Sequence, residues 1–244
     1  MDKQEVIFED LGVVEYKTAW DHQEKLLQEN VAIKSRLRQL QAVTEADITG
    51  TPQELSTQNH FLLCEHPAVY TLGKSGNKDN VLMTDEELED NHIEFYNTNR
   101  GGDITFHGPQ QIVGYPILDL EKYYTDIGRY LRNLEEVVIL TIAEYGLKGE
   151  RSSGETGVWI DTAIKGKERK ICAIGVRCSR WITMHGFALN VNTDLSYFNN
   201  IIPCGIQNKQ VTSIEKELGH KVNYEEAKDK IKKNFEKVFE SVLI

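Results

Sequence analysis

The chain has 244 residues, 27% of them charged and 40% hydrophobic, with a formal net charge of −10. That length can bury a substantial core in one large or two small domains, and the composition is that of an ordinary globular protein. The negative balance repels polyanions and argues against a nucleic-acid partner. No apolar run is long enough to span a bilayer, and MDKQEVIFEDL lacks the pattern of a secretory or transit peptide, so the expectation is a cytoplasmic protein with no membrane partner.

Residues 5–14 read as an opening strand with a turn. From Tyr16 to about Gln41, apolar residues recur at Trp20, Leu26, Leu27, Ile33, Leu37 and Leu40, which predicts an amphipathic helix broken somewhat around Glu29 and Asn30. The polar stretch 42–58 is loop-like, and HFLLCEHPAVYTLG reads as two short strands around a bend at Pro67. Thr84, followed by Glu87, forms a capping box for a short helix, and IEFYNTN is a strand candidate. Residues 126–145 have helical spacing, with Gly146 as a C-cap. Three strand candidates follow (GVWIDTAI, ICAIGVRCS and ITMHGFALNVN), then a charged amphipathic helix over 224–243. Strands and helices interleave without the regular alternation of a doubly wound sheet, which predicts one α+β domain over residues 1–244.

The cysteines are Cys64, Cys172, Cys178 and Cys204, too few and too scattered for a disulfide scaffold. No C-x-x-C occurs, so no metal site is expected. Cys64 and His66 read as a buried thiol beside a surface histidine. Against the acidic total, residues 164–181 hold Lys165, Lys167, Arg169, Lys170, Arg177 and Arg180 with one acid, Glu168. Such an island suits an acidic partner; the plainer reading is a solvated strand edge.

Three stretches could carry chemistry. In RGGDITFHGPQQIVGYP, residues 100–116, paired glycines let the backbone approach a ligand, while Ile104 and Phe106 alternate with Thr105 and His107. The spacing is neither a dinucleotide fingerprint nor a phosphate loop. In RKICAIGVRC, Lys170 opens an apolar strand; partial desolvation at such a mouth favours the neutral, proton-accepting amine. In IIPCG, Cys204 stands between Pro203 and Gly205, a setting suited to a turn. Each has a plainer reading: a glycine turn into a half-buried strand, a lysine snorkelling at a strand end, and a buried structural thiol.

Taken together and in this order, RGGDITFHGPQQIVGYP, KICAIGVR, HGFALNVNTDL and IIPCG resemble the octanoyltransferases of lipoate assembly, the lipoyl(octanoyl)transferase family. EHPAVYTLGKSG and the Trp20 helix fit as well, so the resemblance runs from about residue 5 to residue 220. It implies the fold of biotin and lipoate protein ligase catalytic domains, a mixed β-sheet with packed helices plus a smaller sheet. It also implies transfer of octanoate from octanoyl-acyl carrier protein to a lysine of lipoyl domains, those of 2-oxoacid dehydrogenases and of the glycine cleavage H protein, with no cofactor. Carried onto this chain, the nucleophile is Cys204 and its activating base Lys170. The acyl pocket is Arg100, Gly101, Gly102, Asp103, Ile104, Thr105, Phe106 and His107, then Ala173, Ile174 and Gly175, then Gly186, Phe187 and Ala188. Ile104, Phe106 and Phe187 are expected to shape that pocket. The chain departs from the family pattern at Gln110, where glycine is usual, and in a longer polar segment over about 45–58.

Two rival readings follow. An ATP-dependent lipoate or biotin ligase of the same fold would adenylate a free acid and would not need Cys204. A non-catalytic acyl-binding or carrier-docking protein would need neither Cys204 nor Lys170.

Overall fold

The computed structural model describes residues 3–42, 55–202 and 210–244. The longer sheet is mixed. Its central strands are β2 (Asn59–Glu65), β6 (Gln111–Ile117), β10 (Ile182–Asn190) and β9 (Arg169–Ser179). The path runs β12-β1-β2-β6-β10-β9-β8-β7, with β1 at Gln4–Val13, β7 at Glu150–Ser152, β8 at Glu155–Ile160 and β12 at Ser241–Leu243, and the two-residue β11 (Gln210–Val211) lies parallel to β9. The smaller sheet is β4-β3-β5, from Glu94–Asn97, Val69–Leu72 and Ile104–His107. This is the α+β arrangement the sequence predicts. Pro67 separates two strands that enter different sheets, because after β2 the chain must leave the large sheet to begin the small one.

One face of the large sheet is covered by α1 (Tyr16–Ala42), the other by α3 (Ile127–Ala143) and α5 (Tyr224–Val238). Leu134, Val138 and Ile142 of α3 meet Ile231 and Phe235 of α5 over Phe61, Phe187 and Leu189 in the main core. The short helix α2 (Asp85–Asp90) carries the capping box at Thr84 and Glu87, and α4 (Ile214–Leu218) ends in the left-handed Gly219.

Three elements differ from the sequence reading. Helix α1 is continuous through Glu29 and Asn30: Asn30 is polar because its side-chain amide both donates to Gln58 O and accepts from Gln58 N, at 2.8 Å each, which ties the helix to the segment entering β2. The C-terminal helix ends at Val238, and Ser241–Leu243 pair parallel with Gln4–Val6 as an edge strand. Gln111–Ile117, unassigned from sequence, is buried on both faces and so lacks the two-residue alternation that marks a half-exposed strand. Among the described residues no helix is long and apolar enough to cross a membrane.

Central strands β6 and β10 approach unusually closely at Gly114 and Gly186. A Cβ at Gly186 would collide with the Gly114 carbonyl oxygen and come within 2.8 Å of Pro116 Cδ. Since the obstacle is ladder backbone, Gly186→Ala is expected to destabilise the fold by about 3 kcal/mol, at the upper end of overpacking costs. Urea unfolding measures it; a variant as stable as the parent contradicts this packing.

Candidate active site

Between the large sheet, the small sheet and the N-terminal turn of α1 lies a cavity of about 620 Å³. Alternate residues of a strand share a face, so Gln111, Val113 and Tyr115 of β6, Gly186, Ala188 and Asn190 of β10, and Ala173 and Gly175 of β9 form its floor. The register sets Ala188 between Val113 and Ala173, and Gly186 against Gly175, which keeps the floor low. The loop 100–103, His107 and Tyr16 line the opposite side.

Hydrogen bonds fix that loop. Gly101 N donates to Val176 O at 2.9 Å, Lys74 N to Arg100 O at 3.0 Å and Ser75 N to Gly102 O at 3.1 Å. The buried Arg100 guanidinium donates to Gly101 O and to Thr71 O and Oγ1. From there a directed chain runs along the wall. Thr71 Oγ1 donates to His107 Nε2 (3.4 Å), His107 Nδ1 to Gln111 Oε1 (2.8 Å), Gln111 Nε2 to Asn190 Oδ1 (2.9 Å) and Asn190 Nδ2 to Thr212 O (2.9 Å). The chain assigns the His107 tautomer and the amide orientations. Because these polar groups satisfy one another, an apolar guest can lie against them without stranding a buried donor or acceptor.

Of the fourteen residues expected in the pocket, thirteen line this cavity: Arg100, Gly101, Gly102, Asp103, Ile104, Thr105, His107, Ala173, Ile174, Gly175, Gly186, Phe187 and Ala188. Phe106 does not. Its ring stacks on Tyr197 at 4.6 Å within the core of the small sheet, held by the 195–200 turn, so its bulk supports β5 from behind. Lys170 is also on the lining. Its Nζ lies 4.6 Å from the centre of the Trp159 ring, and its stem passes Gly157, where an added Cβ would sit 3.5 Å from Lys170 Cε and 2.6 Å from Cys172 O. Gly157 has φ +124°, a conformation closed to other residues, and its N–H donates at 3.1 Å to the buried Glu135 of α3. Cys204, with Pro203 and Gly205, lies outside the described residues, as does most of the long polar segment before β2.

Gln110 has φ +62°, the left-handed region in which glycine is comfortable. Its carbonyl accepts from Asn192 N and Thr193 Oγ1, and its Oε1 accepts from Asn192 Nδ2, contacts that offset the backbone strain. The Gln110 turn is thereby tied to the chain leaving β10.

Tyr16, Gln111, Tyr115, His185 and Asn190 also line the cavity without being named as candidates, although all but Tyr16 fall within the quoted motifs. Tyr16 stacks on His107 at 5.8 Å and meets His66 edge-on at 5.3 Å. His66 is fully buried, not at the surface: Tyr115 OH donates to its Nε2 at 2.8 Å, Nδ1 donates to Val14 O, and the Cys64 thiol lies 3.4 Å from Nε2. His185 donates through Nε2 to Asn99 Oδ1 at 2.7 Å.

Burial holds all three histidines neutral. It brings His66 down to about 4, against a small opposing effect of the Val14 hydrogen bond, and brings His185 down to about 3 with help from Arg100 and Arg177. His107 is held well below the usual range by burial and by His66. A folded value below the unfolded one means the unfolded chain takes up protons first, so this stability is present above about pH 6.5 and is lost as pH falls towards 4 for His66 and 3 for His185. Each histidine contributes a slope of about 1.4 kcal/mol per pH unit in its window. Urea unfolding between pH 7 and 4.5 is expected to show this loss, with His66→Gln removing one histidine's share; a flat profile contradicts buried neutral histidines.

Residues 15–236 match the family of the lipoyl protein ligase A/B catalytic domain. An octanoyltransferase of Christiangramia forsetii is 56% identical over 241 residues, covering 98% of each chain, and one of Flavobacterium psychrophilum is 55% identical over 237 residues, covering 97% of each. Among solved structures, a bi-partite lipoate protein ligase of Thermoplasma acidophilum superposes with a TM-score of 0.61 at 15% identity, covering 100% of this chain and 86% of that one. A lipoate-protein ligase A bound with ATP gives 0.60 at 14%, covering 100% and 88%. At such identities the likeness establishes the fold.

Proposed function

The chain belongs to the octanoyltransferase family, within the group that shares the lipoyl protein ligase A/B catalytic domain, and on that premise we propose that it moves octanoate from octanoyl-acyl carrier protein to a lysine of lipoyl domains through an octanoyl-Cys204 intermediate. The acceptors are the lipoyl domains of 2-oxoacid dehydrogenases and the glycine cleavage H protein. Lys170 takes the thiol proton of Cys204, and the thiolate attacks the thioester carbonyl. The carrier sulfur then leaves and recovers the proton as a thiol. In the second half the acceptor amine loses a proton to Lys170 and attacks the acyl-cysteine, giving the amide and free Cys204. Thioester to amide runs downhill, so the scheme needs neither ATP nor a metal.

The observation that carries this reading is the cavity itself: small residues at 173, 175, 186 and 188 on its floor, the polar groups of His107, Gln111 and Asn190 satisfied in one chain, and a lysine on the lining. Each buried CH₂ contributes about 0.8 kcal/mol, so an eight-carbon chain gains roughly 5 to 6 kcal/mol there. One methylene alters affinity only about fourfold by transfer alone, so sharp length selection needs a closed pocket end.

ATP dependence separates this from a ligase. Purified protein is expected to modify an apo-lipoyl domain from octanoyl carrier in the presence of a nucleotide-removing enzyme. Transfer only from free octanoate with ATP would make the protein a ligase.

A further inference from the structure

We propose that the exposed tip of the β8–β9 hairpin, residues 163–167, is the docking point for the acidic carrier domain that presents the acyl thioester, an inference that rests on the transfer reading above. The basic island seen in the sequence is much smaller in three dimensions. Arg169 is consumed by two 2.6 Å bonds to Glu217 and one to Asp161, Arg177 pairs with Glu24 at 2.8 Å, and Arg180 donates to Ser35. Arg180 keeps its charge, but it is exposed at the opposite end of β9 against the neutral Ser35. At the start of β9 the outward cations are those of the tip: Ala163, Ile164, Lys165, Gly166 and Lys167 are all exposed, Ile164 by 48%, and neither lysine has an ion pair among the described residues.

The nearby acids are occupied. Asp161 and Glu217 hold Arg169, Glu150 accepts from Thr162 N and Oγ1 while pairing with Lys148, and Glu168 accepts from Gly166 N at 2.6 Å. Backbone bonds from Ile164 N to Asp161 O and from Lys167 N to Ile164 O close the turn. The tip is therefore a preformed knob with an apolar residue beside two uncompensated cations, on a chain whose formal charge is −10. Such a knob suits an acidic surface with an apolar centre, and its rigid base lowers the ordering cost of binding.

Position favours the donor over the acceptor. Lys167 is three residues from Lys170, a separation of at most about 10 Å along the chain. A lysine side chain is short, so its domain must sit on the cavity mouth. A thioester on a long prosthetic arm lets its carrier stand off at the tip.

The test is steady-state transfer by the full chain, with octanoyl carrier or octanoyl-pantetheine as donor and an apo-lipoyl domain as acceptor, for Ile164→Asp and for Lys165→Glu combined with Lys167→Glu. For the double variant, kcat/KM with the carrier is expected to fall at least tenfold, mostly through KM, and to lose its salt dependence. Octanoyl-pantetheine kinetics, which report an intact site, and the KM for the lipoyl domain stay within twofold, and lysines introduced on the carrier's acidic face restore part of the loss. Unchanged carrier kinetics overturn the proposal, and a rise in the lipoyl-domain KM instead makes the tip an acceptor site. A parent protein that transfers from octanoyl-pantetheine but not from the carrier also overturns it, whereas one that transfers from neither sinks the transfer reading itself.

Discussion

Lys170→Met is expected to lower the rate of octanoyl transfer by about 10²–10⁴-fold, the usual worth of a positioned general base. The lysine is held by its surroundings: Gly157 leaves room for its stem, the buried Glu135 anchors Gly157, and the Trp159 ring lies 4.6 Å from Nζ. An aromatic face attracts the ammonium form, so the Trp159 ring favours the cation that Lys170 becomes on taking the thiol proton. Lys170→Arg separates charge from proton transfer, because a guanidinium retains the cation and does not deprotonate in proteins. Both variants are expected to be equally impaired in single-turnover acylation. An active Lys170→Arg enzyme would mean that the residue acts only as a fixed charge.

Cys204→Ala is expected to reduce transfer to the uncatalysed background, the larger of the two effects. No other thiol in the chain is placed to take over. Cys64 and Cys172 are buried, and burial pushes both thiols far up, with Asp10 and Glu65 adding to the effect at Cys64. Cys178 is half-buried and also raised by burial. A thiol kept protonated in this way is neither a nucleophile nor readily oxidised. Cys172 also belongs to the core beneath α3, on the far side of the sheet from the cavity floor. Full transfer by Cys204→Ala would point to direct attack of the acceptor amine on the carrier thioester.

Local patterns mark those cavity residues whose chemistry is local. The glycines and arginine of 100–102, the small residues at 173, 175, 186 and 188, and Lys170 all lie in short motifs whose residue types already suggest close approach and proton transfer. The polar wall was not legible, because Gln111, Asn190 and Thr71 come from three strands in two sheets and meet only through pairing distant in sequence. Tyr16 read as the first residue of an amphipathic helix, and only the docking of α1 sets it against His107. Phe106 packs away from the cavity, and no local pattern shows this because the 195–200 turn that receives its ring has no periodic signature. The terminal strand is hidden for a similar reason: Val242 continues the four-residue apolar spacing of Val238, and the partner of Ser241–Leu243 is more than two hundred residues away. At Gln110 the sequence marked the departure from glycine, and the structure supplies its meaning, a left-handed residue tied to Asn192 and Thr193.

A covalent octanoyl-Cys204 is the central expectation, and intact mass spectrometry tests it directly. After mixing with octanoyl carrier and no acceptor, the protein is expected to gain the mass of one octanoyl group, mapped by peptide analysis to Cys204, lost on adding an apo-lipoyl domain and absent in Cys204→Ala. Transfer to the lipoyl domain at the normal rate with no adduct formed, or an adduct on another residue, would contradict it.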